Sequence, residues 1–301
     1  MTFARRRHGR SNGRVRAEDP VTLLERRAAL LDDGDPAELE EVTTALRAAL
    51  DGDAASVRRV TADEPGDLLQ RLAESEPVHP IRSPEDLADR LDEDRRCYVL
   101  EHAALPGRPS NVVWVALWQG VAGSVDAILD PAAPTLDPAA ADTAVFYSIW
   151  GVEPGLRRMA GGGRLIEGAV EALRAELPGL RTFVTLSPIP GFRSWWEARH
   201  PGADPPGDDE LLAACAEYLT TLDEEGLPLD PVARFHLGNG ARLLALHRHG
   251  DRSERGARRS FGIMANYRYE PEDRAANRAE LREGRVPVGD AVSGRPSRDH
   301  K

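Results

Sequence analysis

Lysine is all but absent: Lys301, the last residue, is the only one in a chain of 301. A Schiff-base lysine or the phosphate-binding lysine of a P-loop needs that side chain inside a folded site, so pyridoxal-phosphate chemistry and Walker-type nucleotide hydrolysis are excluded. Cysteine is scarce as well. Cys97 and Cys215 lie far apart and form no C-x-x-C pair, so they supply neither a disulfide framework nor a metal site. That pattern fits a reducing compartment and a cytoplasmic protein. No apolar run approaches the ~20 residues that cross a bilayer. The opening MTFARRRHGRSNGRVR has no apolar core of the secretory kind. Basic charge is in deficit, with 39 Lys and Arg against 50 Asp and Glu for a net −11, so no nucleic-acid partner is expected. A small anion would have to be held locally, by arginines and backbone amides.

Hydrophobic content of 41% and charged content of 30% suit a soluble globular protein. Residues 1–17 carry six arginines between Arg5 and Arg16 and read as a disordered basic tail. Residues 18–76 read as a short helical region, with helices expected near Leu23–Leu31, Glu38–Leu50 and Asp67–Glu74. Residues 77–280 change texture and read as the main domain. Ser83-Pro84 caps a short helix. RCYVLEH (96–102), NVVWVALW (111–118), DTAVFYSIW (142–150), RTFVTLS (181–187) and SFGIMANYRY (260–269) read as strands. GGRLIEGAVEALRAEL (162–177) reads as an amphipathic helix, with further helices expected over Leu211–Thr221 and Asn239–His247. Residues 281–301 read as a flexible C-terminal tail. Strands and helices mix without strict βαβ repetition, which gives an α+β or mixed α/β class.

Three stretches can carry chemistry. In YSIWGVEPGLRRMAGGGRLIEGAV (147–170) a strand passes through a glycine-rich turn into a helix, and a helix start offers unpaired N–H groups to an anion. It contains no G-x-G-x-x-G and no G-K-[ST]. Arg158-x-x-Gly161-x-Gly163 matches the R-x-x-G-x-G of the acetyl-CoA-dependent acyltransferase (GNAT) superfamily; the alternative is a plain flexible loop. In TLSPIPGF, Pro188 and Pro190 hold Ser187 in a rigid, extended turn. The hydroxyl is then either fixed for catalysis or simply part of a strand end; no G-x-S-x-G elbow marks it as a hydrolase nucleophile. In LDPVARFHLGNGARL (229–243), His236 stands in apolar company, either as a core histidine or as a proton carrier. His247 and His249 sit among arginines and read as solvated surface.

Taken together and in order, HPIRSPEDLADRLDEDRRCYVLEH, DTAVFYSI, TFVTLSPIPGF, LDPVARFHLGNGARL and GIMANYRY resemble the malonyl-CoA decarboxylase family over residues 56–270. The resemblance implies a GNAT-like catalytic domain with a central mixed sheet, preceded by helices. It implies conversion of malonyl-CoA to acetyl-CoA and carbon dioxide, with no metal or organic cofactor. It assigns the catalytic pair to Ser187 and His236, and CoA binding to Arg157, Arg158, Met159, Ala160, Gly161, Gly162 and Gly163. A homo-oligomer is compatible with it, and no membrane partner is implied. The helical region is shorter than the family's. The CoA segment, usually close to QGVxLG, is RRMAGG here. His247-Arg248 replaces an asparagine–tryptophan pair, and Trp150 stands where a small residue is usual. These departures bear on the acyl group or the carrier. Methylmalonyl-CoA, a malonyl group on an acyl carrier protein, acyl transfer to an amine, and a catalytically silent CoA sensor or partner-binding protein are the alternatives. On this reading Ser187 orients the carboxylate or a proton, and His236, titrating near working pH, protonates the enolate.

Overall fold

The computed structural model describes residues 18–51, 55–157, 159 and 161–293. The tail expected over 1–17, and residues 294–301 of the C-terminal one, lie outside them. Two helices open the described chain, α1 (Pro20–Leu30) and α2 (Pro36–Asp51). Then come β1 (Ser56–Val60), α3 (Gly66–Ser75), α4 (Pro84–Asp89), β2 (Arg95–Glu101), β3 (Asn111–Trp118), α5 (Val125–Ile128) and β4 (Thr143–Gly151). The second half holds α6 (Gly162–Glu176), β5 (Thr182–Thr185), β6 (Ser187–Pro188), α7 (Phe192–Arg199), α8 (Asp208–Thr220), α9 (Pro231–Gly238), β7 (Arg242–His247), α10 (Glu254–Ser260), β8 (Met264–Arg268), α11 (Arg274–Arg282) and α12 (Asp290–Ser293).

All eight strands form one sheet. β1 to β4 run as an antiparallel meander, β5 lies parallel to β4, and β8 pairs antiparallel with β5, β6 and β7. β2 and β3 are buried along their lengths, which explains why CYVL and VVWVAL are continuous rather than alternating apolar runs. One face packs under α6 through Leu165, Ile166, Ala169, Val170 and Leu173, joined by residues of α7, α8 and α9. The other face packs against α3 and α5 through Leu72, Val125 and Ile128. A separate small cluster joins α1 and α2 to Leu105 and Leu156.

The feature that makes a site is a parting of strands. β4 and β5 pair from Thr143–Thr182 to Phe146–Thr185, with one further bond from the Leu186 N–H to the Phe146 carbonyl (3.0 Å). Beyond it β4 continues with β3 to Gly151, while Ser187 and Pro188 pair with Ala265 and Met264 of β8. Pro188 and Pro190 lack the N–H donors that a longer ladder with β4 would need. A β-bulge adds to the opening: Trp114 faces Ser148 but Val115 faces Phe146, so Tyr147 is an extra residue in β4. Asn266, fully buried, pins the fork. Its Nδ2 donates to the carbonyls of Thr185 (2.6 Å) and Ala122 (3.2 Å).

Several expectations are corrected. Residues 242–247 are a strand, not a helix; the apolar spacing of ARLLALH suits either period, and pairing with β8 decides. The helix lies just upstream, over Pro231–Gly238. β1 falls within the stretch read as helical and joins the main sheet. Within the stretch read as a tail, residues 287–289 run beside β7: the Leu243 N–H donates to Pro287 (3.0 Å) and the Gly289 N–H to Leu243 (2.7 Å).

Asn266→Ala removes both pinning bonds and leaves buried carbonyls without a donor. It is expected to lower unfolding stability by about 2 kcal/mol, read from urea denaturation at an unchanged slope.

Candidate active site

Ser187 stands at the mouth of the fork and is 5% exposed. His236 reaches it from α9. Pro231 is preorganised for the first helical turn, and Asp230 caps it, accepting from the N–H groups of Val232 (2.9 Å) and Ala233 (3.0 Å). The Asp230 carboxylate also accepts from the Gly191 N–H (3.4 Å). One buried acid thus ties the turn after Ser187 to the helix that carries His236. Burial pushes its pKa up, against those backbone bonds.

The two expected catalytic residues meet. Ser187 Oγ lies 3.0 Å from His236 Nε2. The same hydroxyl bonds Thr185 Oγ1 at 2.9 Å, and Thr185 Oγ1 accepts the Tyr267 N–H at 3.1 Å. Behind the imidazole, Nδ1 lies 2.9 Å from the Tyr269 hydroxyl, and the ring stacks on Tyr267 at 4.7 Å. Tyr269, Tyr267 and Thr185 were not singled out from sequence. The alternation of NYRY was the available signal, since residues two apart in a strand share a face. The bonds Tyr269–His236–Ser187 run in either sense: Tyr269 donates to Nδ1 while Nε2–H donates to Ser187, or the reverse. The two arrangements differ in the ring tautomer and in the direction each hydroxyl turns.

His236 does not titrate near working pH. It is 2% exposed, and desolvation pushes its pKa down to about 3. The imidazole is therefore neutral at pH 7. The expectation that it acts as a titrating acid is replaced by a neutral donor–acceptor set between two hydroxyls.

The fork opens into a cavity of about 710 Å³. Its walls are Phe146 to Gly151 of β4, Ser187 and Pro188, the start of α6, and α9 from Pro231 to Asn239. Among the described residues that line it none is acidic and Arg234 is the one full cation; its guanidinium is tied to Asp223 (2.8 Å) and the Pro228 carbonyl (3.2 Å). The glycines are there for closeness. A Cβ on Gly161 would meet Asn111 Oδ1 at 2.4 Å, on Gly162 the Phe235 ring at 2.7 Å, and on Gly163 Asn239 Oδ1 at 2.2 Å. The first intrahelical bond runs from Leu165 to Gly161 (3.0 Å), so the N–H groups of residues 162–164 precede the helical ladder and suit an anion.

The CoA set divides. Gly161, Gly162, Gly163 and Met159 line the cavity. Arg157 does not; its side chain is half exposed and lies 3.9 Å from Asp32. Arg158 and Ala160 lie outside the described residues. Trp150 packs its ring near Trp114 in the core cluster of the other sheet face, with Nε1 donating to Ser75 (3.1 Å). His247 is not solvated surface: it is half-buried and its Nε2 bonds Asn266 Oδ1.

Because its pKa lies near 3, His236 is expected to keep neutral-imidazole ¹⁵N shifts down to about pH 4. Unfolding returns the ring to its ordinary pKa of 6.5. The unfolded chain then binds the extra proton, so this histidine lowers stability progressively as pH falls from 6.5 toward 3. Ring titration by NMR and urea midpoints against pH check both statements.

Comparison with known proteins follows the same lines. The family described as "Malonyl-CoA decarboxylase C-terminal domain" matches residues 54–207 and 206–300. The mitochondrial malonyl-CoA decarboxylase of Anser anser anser is 34% identical over 271 residues, covering 74% of this chain and 54% of that protein. The chain spans about half the length of the curated relatives it matches. The crystal structure of malonyl-CoA decarboxylase from Agrobacterium vitis superposes with a TM-score of 0.82 at 34% identity, over 92% of this chain and 76% of that one. The loading GNATL domain of CurA from Lyngbya majuscula shares the fold, with a TM-score of 0.50 at 16% identity over 72% of this chain and 98% of that one. Among the described residues no helix is long and apolar enough to cross a membrane. By the family match over most of its length and the likeness to these relatives, the chain belongs to the malonyl-CoA decarboxylase family.

Proposed function

We propose that the chain decarboxylates malonyl-CoA to acetyl-CoA and carbon dioxide in the cavity at the fork, using Ser187, His236 and Tyr269. Family membership supports the reaction. The observation that carries the residue roles is the unbroken hydrogen-bond line from Tyr269 through His236 to Ser187 at the cavity wall.

The chemistry asks for little. When the bond between the α-carbon and the carboxylate breaks, carbon dioxide leaves and the electron pair moves into the thioester carbonyl, giving an enolate. The enolate α-carbon then takes one proton. A cation beside the carboxylate would hold the ground state back, whereas a neutral, weakly polar wall does not. A neutral His236 fits that need. The enolate carbon is a stronger base than an alkoxide, so the Ser187 hydroxyl suffices as donor. Ser187 recovers a proton from Nε2, Nδ1 takes one from Tyr269, and solvent restores the last. Tyr269 also lines a second, small cavity of about 60 Å³ beside Glu167 and Arg274, on the far side of the line from the substrate. That space is large enough to admit water. Backbone N–H groups at the start of α6 suit the CoA diphosphate.

No metal or organic cofactor enters this scheme. Both cysteines are buried free thiols, which fits a reducing compartment; the goose and rat relatives are mitochondrial by name.

The test is carbon dioxide and acetyl-CoA release from malonyl-CoA. Ser187→Ala and His236→Gln are each expected to lower kcat by ~10²–10⁴ while the circular dichroism stays that of the wild type. Full turnover by both folded variants would overturn the residue roles. Methylmalonyl-CoA, carrier-bound malonyl and an acetyl-CoA plus amine mixture serve as competing substrates. Faster turnover of any of them reassigns the acyl group, the carrier or the reaction.

A further inference from the structure

The segment that leads from β4 into α6 is covered by the α1–α2 hairpin, and the contact is unusually close. A Cβ on Gly155 would lie 2.2 Å from the Leu24 carbonyl oxygen, so backbone meets backbone there. Leu156 completes the apolar cluster of Leu23, Leu24, Val42 and Leu46. Arg27 passes through this layer at 4% exposure. Its Nη1 donates to the carbonyls of Gly155 (2.6 Å) and Arg157 (3.0 Å), and its Nε to Thr43 Oγ1 (2.8 Å). A guanidinium fixes the direction of two acceptors at once, and charge-assisted bonds of this kind are stronger than neutral ones. Met159 carries the arrangement onward: it packs on the same cluster and also lines the main cavity, two residues before Gly161.

We propose that Arg27 is a positioning residue for the ligand's CoA portion, holding the entry to α6 in its binding shape from the hairpin side. The proposal rests on the CoA-thioester reading above. Arg27 acts on affinity rather than on the chemical step. Among the described residues it bonds the carbonyls of residues 155 and 157 and Thr43 of α2, whereas the bonds that join Ser187, His236 and Tyr269 run from β6 through α9 to the residue after β8. If the segment is competent for only part of the time, the apparent dissociation constant rises by the inverse of that fraction. The short helical hairpin thereby has a function in the site.

The experiment uses the full chain with Arg27→Met, Arg27→Lys and Gly155→Ala. Free CoA is titrated by calorimetry, malonyl-CoA kinetics give KM and kcat separately, and amide exchange is followed over residues 153–163. For Arg27→Met and Gly155→Ala, the CoA dissociation constant and KM are expected to rise about tenfold, with kcat within about twofold of wild type. Arg27→Lys falls between, and faster exchange is confined to the segment. Should Arg27→Met unfold, the other two variants carry the same comparison. Wild-type constants in the folded variants, or a fall in kcat at constant KM, would overturn the positioning role. A wild-type chain that binds no CoA would instead sink the ligand reading, and this proposal with it.

Discussion

The parting of β4 from β5 after Phe146 and Thr185 is the constraint on which the site depends. Parallel neighbours that kept pairing would satisfy their backbone groups and leave no space between them. Here two prolines withdraw donors from the departing strand, a bulge re-aims β4, and β8 receives Ser187 and Pro188 instead. The cavity, the exposed start of α6 and the serine at the wall follow from that one divergence. Asn266 at the fork and Asp230 at the head of α9 hold the two sides in register, each with buried bonds to main-chain groups on separate segments.

Burial then determines what the histidine is. Removing an imidazolium from water without a nearby carboxylate favours the neutral ring, and His236 has hydroxyls, not acids, at both nitrogens. A neutral ring between two hydroxyls moves protons without placing a charge next to a carboxylate that must be lost. The environment that would disable a titrating general acid therefore suits decarboxylation. It also gives Tyr269 its place in the proposed mechanism: burial pushes the phenol pKa up, so a proton it gives to the ring has to be replaced from solvent.

Much of this was legible in the sequence, and the failures have physical causes. TLSPIPGF announced its serine through prolines that act locally. FHLGNG placed a histidine near a helix end marked by glycine. The Asp230-Pro231 start of that helix is an equally local signal, a cap followed by a first-turn proline, whereas the apolar spacing over residues 239–247 suggests a helix where cross-strand pairing with β8 prevails. The protonation state of His236 was not legible. It depends on burial among Tyr267, Tyr269 and Phe235, which only the fold brings together. Nor could spacing reveal that Arg27 would bond carbonyls at positions 155 and 157, since contacts between distant segments leave no periodic trace.

The central claim is that Tyr269, His236 and Ser187 act as one proton line rather than as separate groups. A double-mutant cycle with Ser187→Ala and Tyr269→Phe, read as kcat on malonyl-CoA, addresses it most directly. Removing the tyrosine hydroxyl alone should lower kcat by ~10-fold or more. In the Ser187→Ala background the same change should have no further effect beyond about threefold. Losses that multiply, each substitution having the same effect with or without the other, would contradict the account.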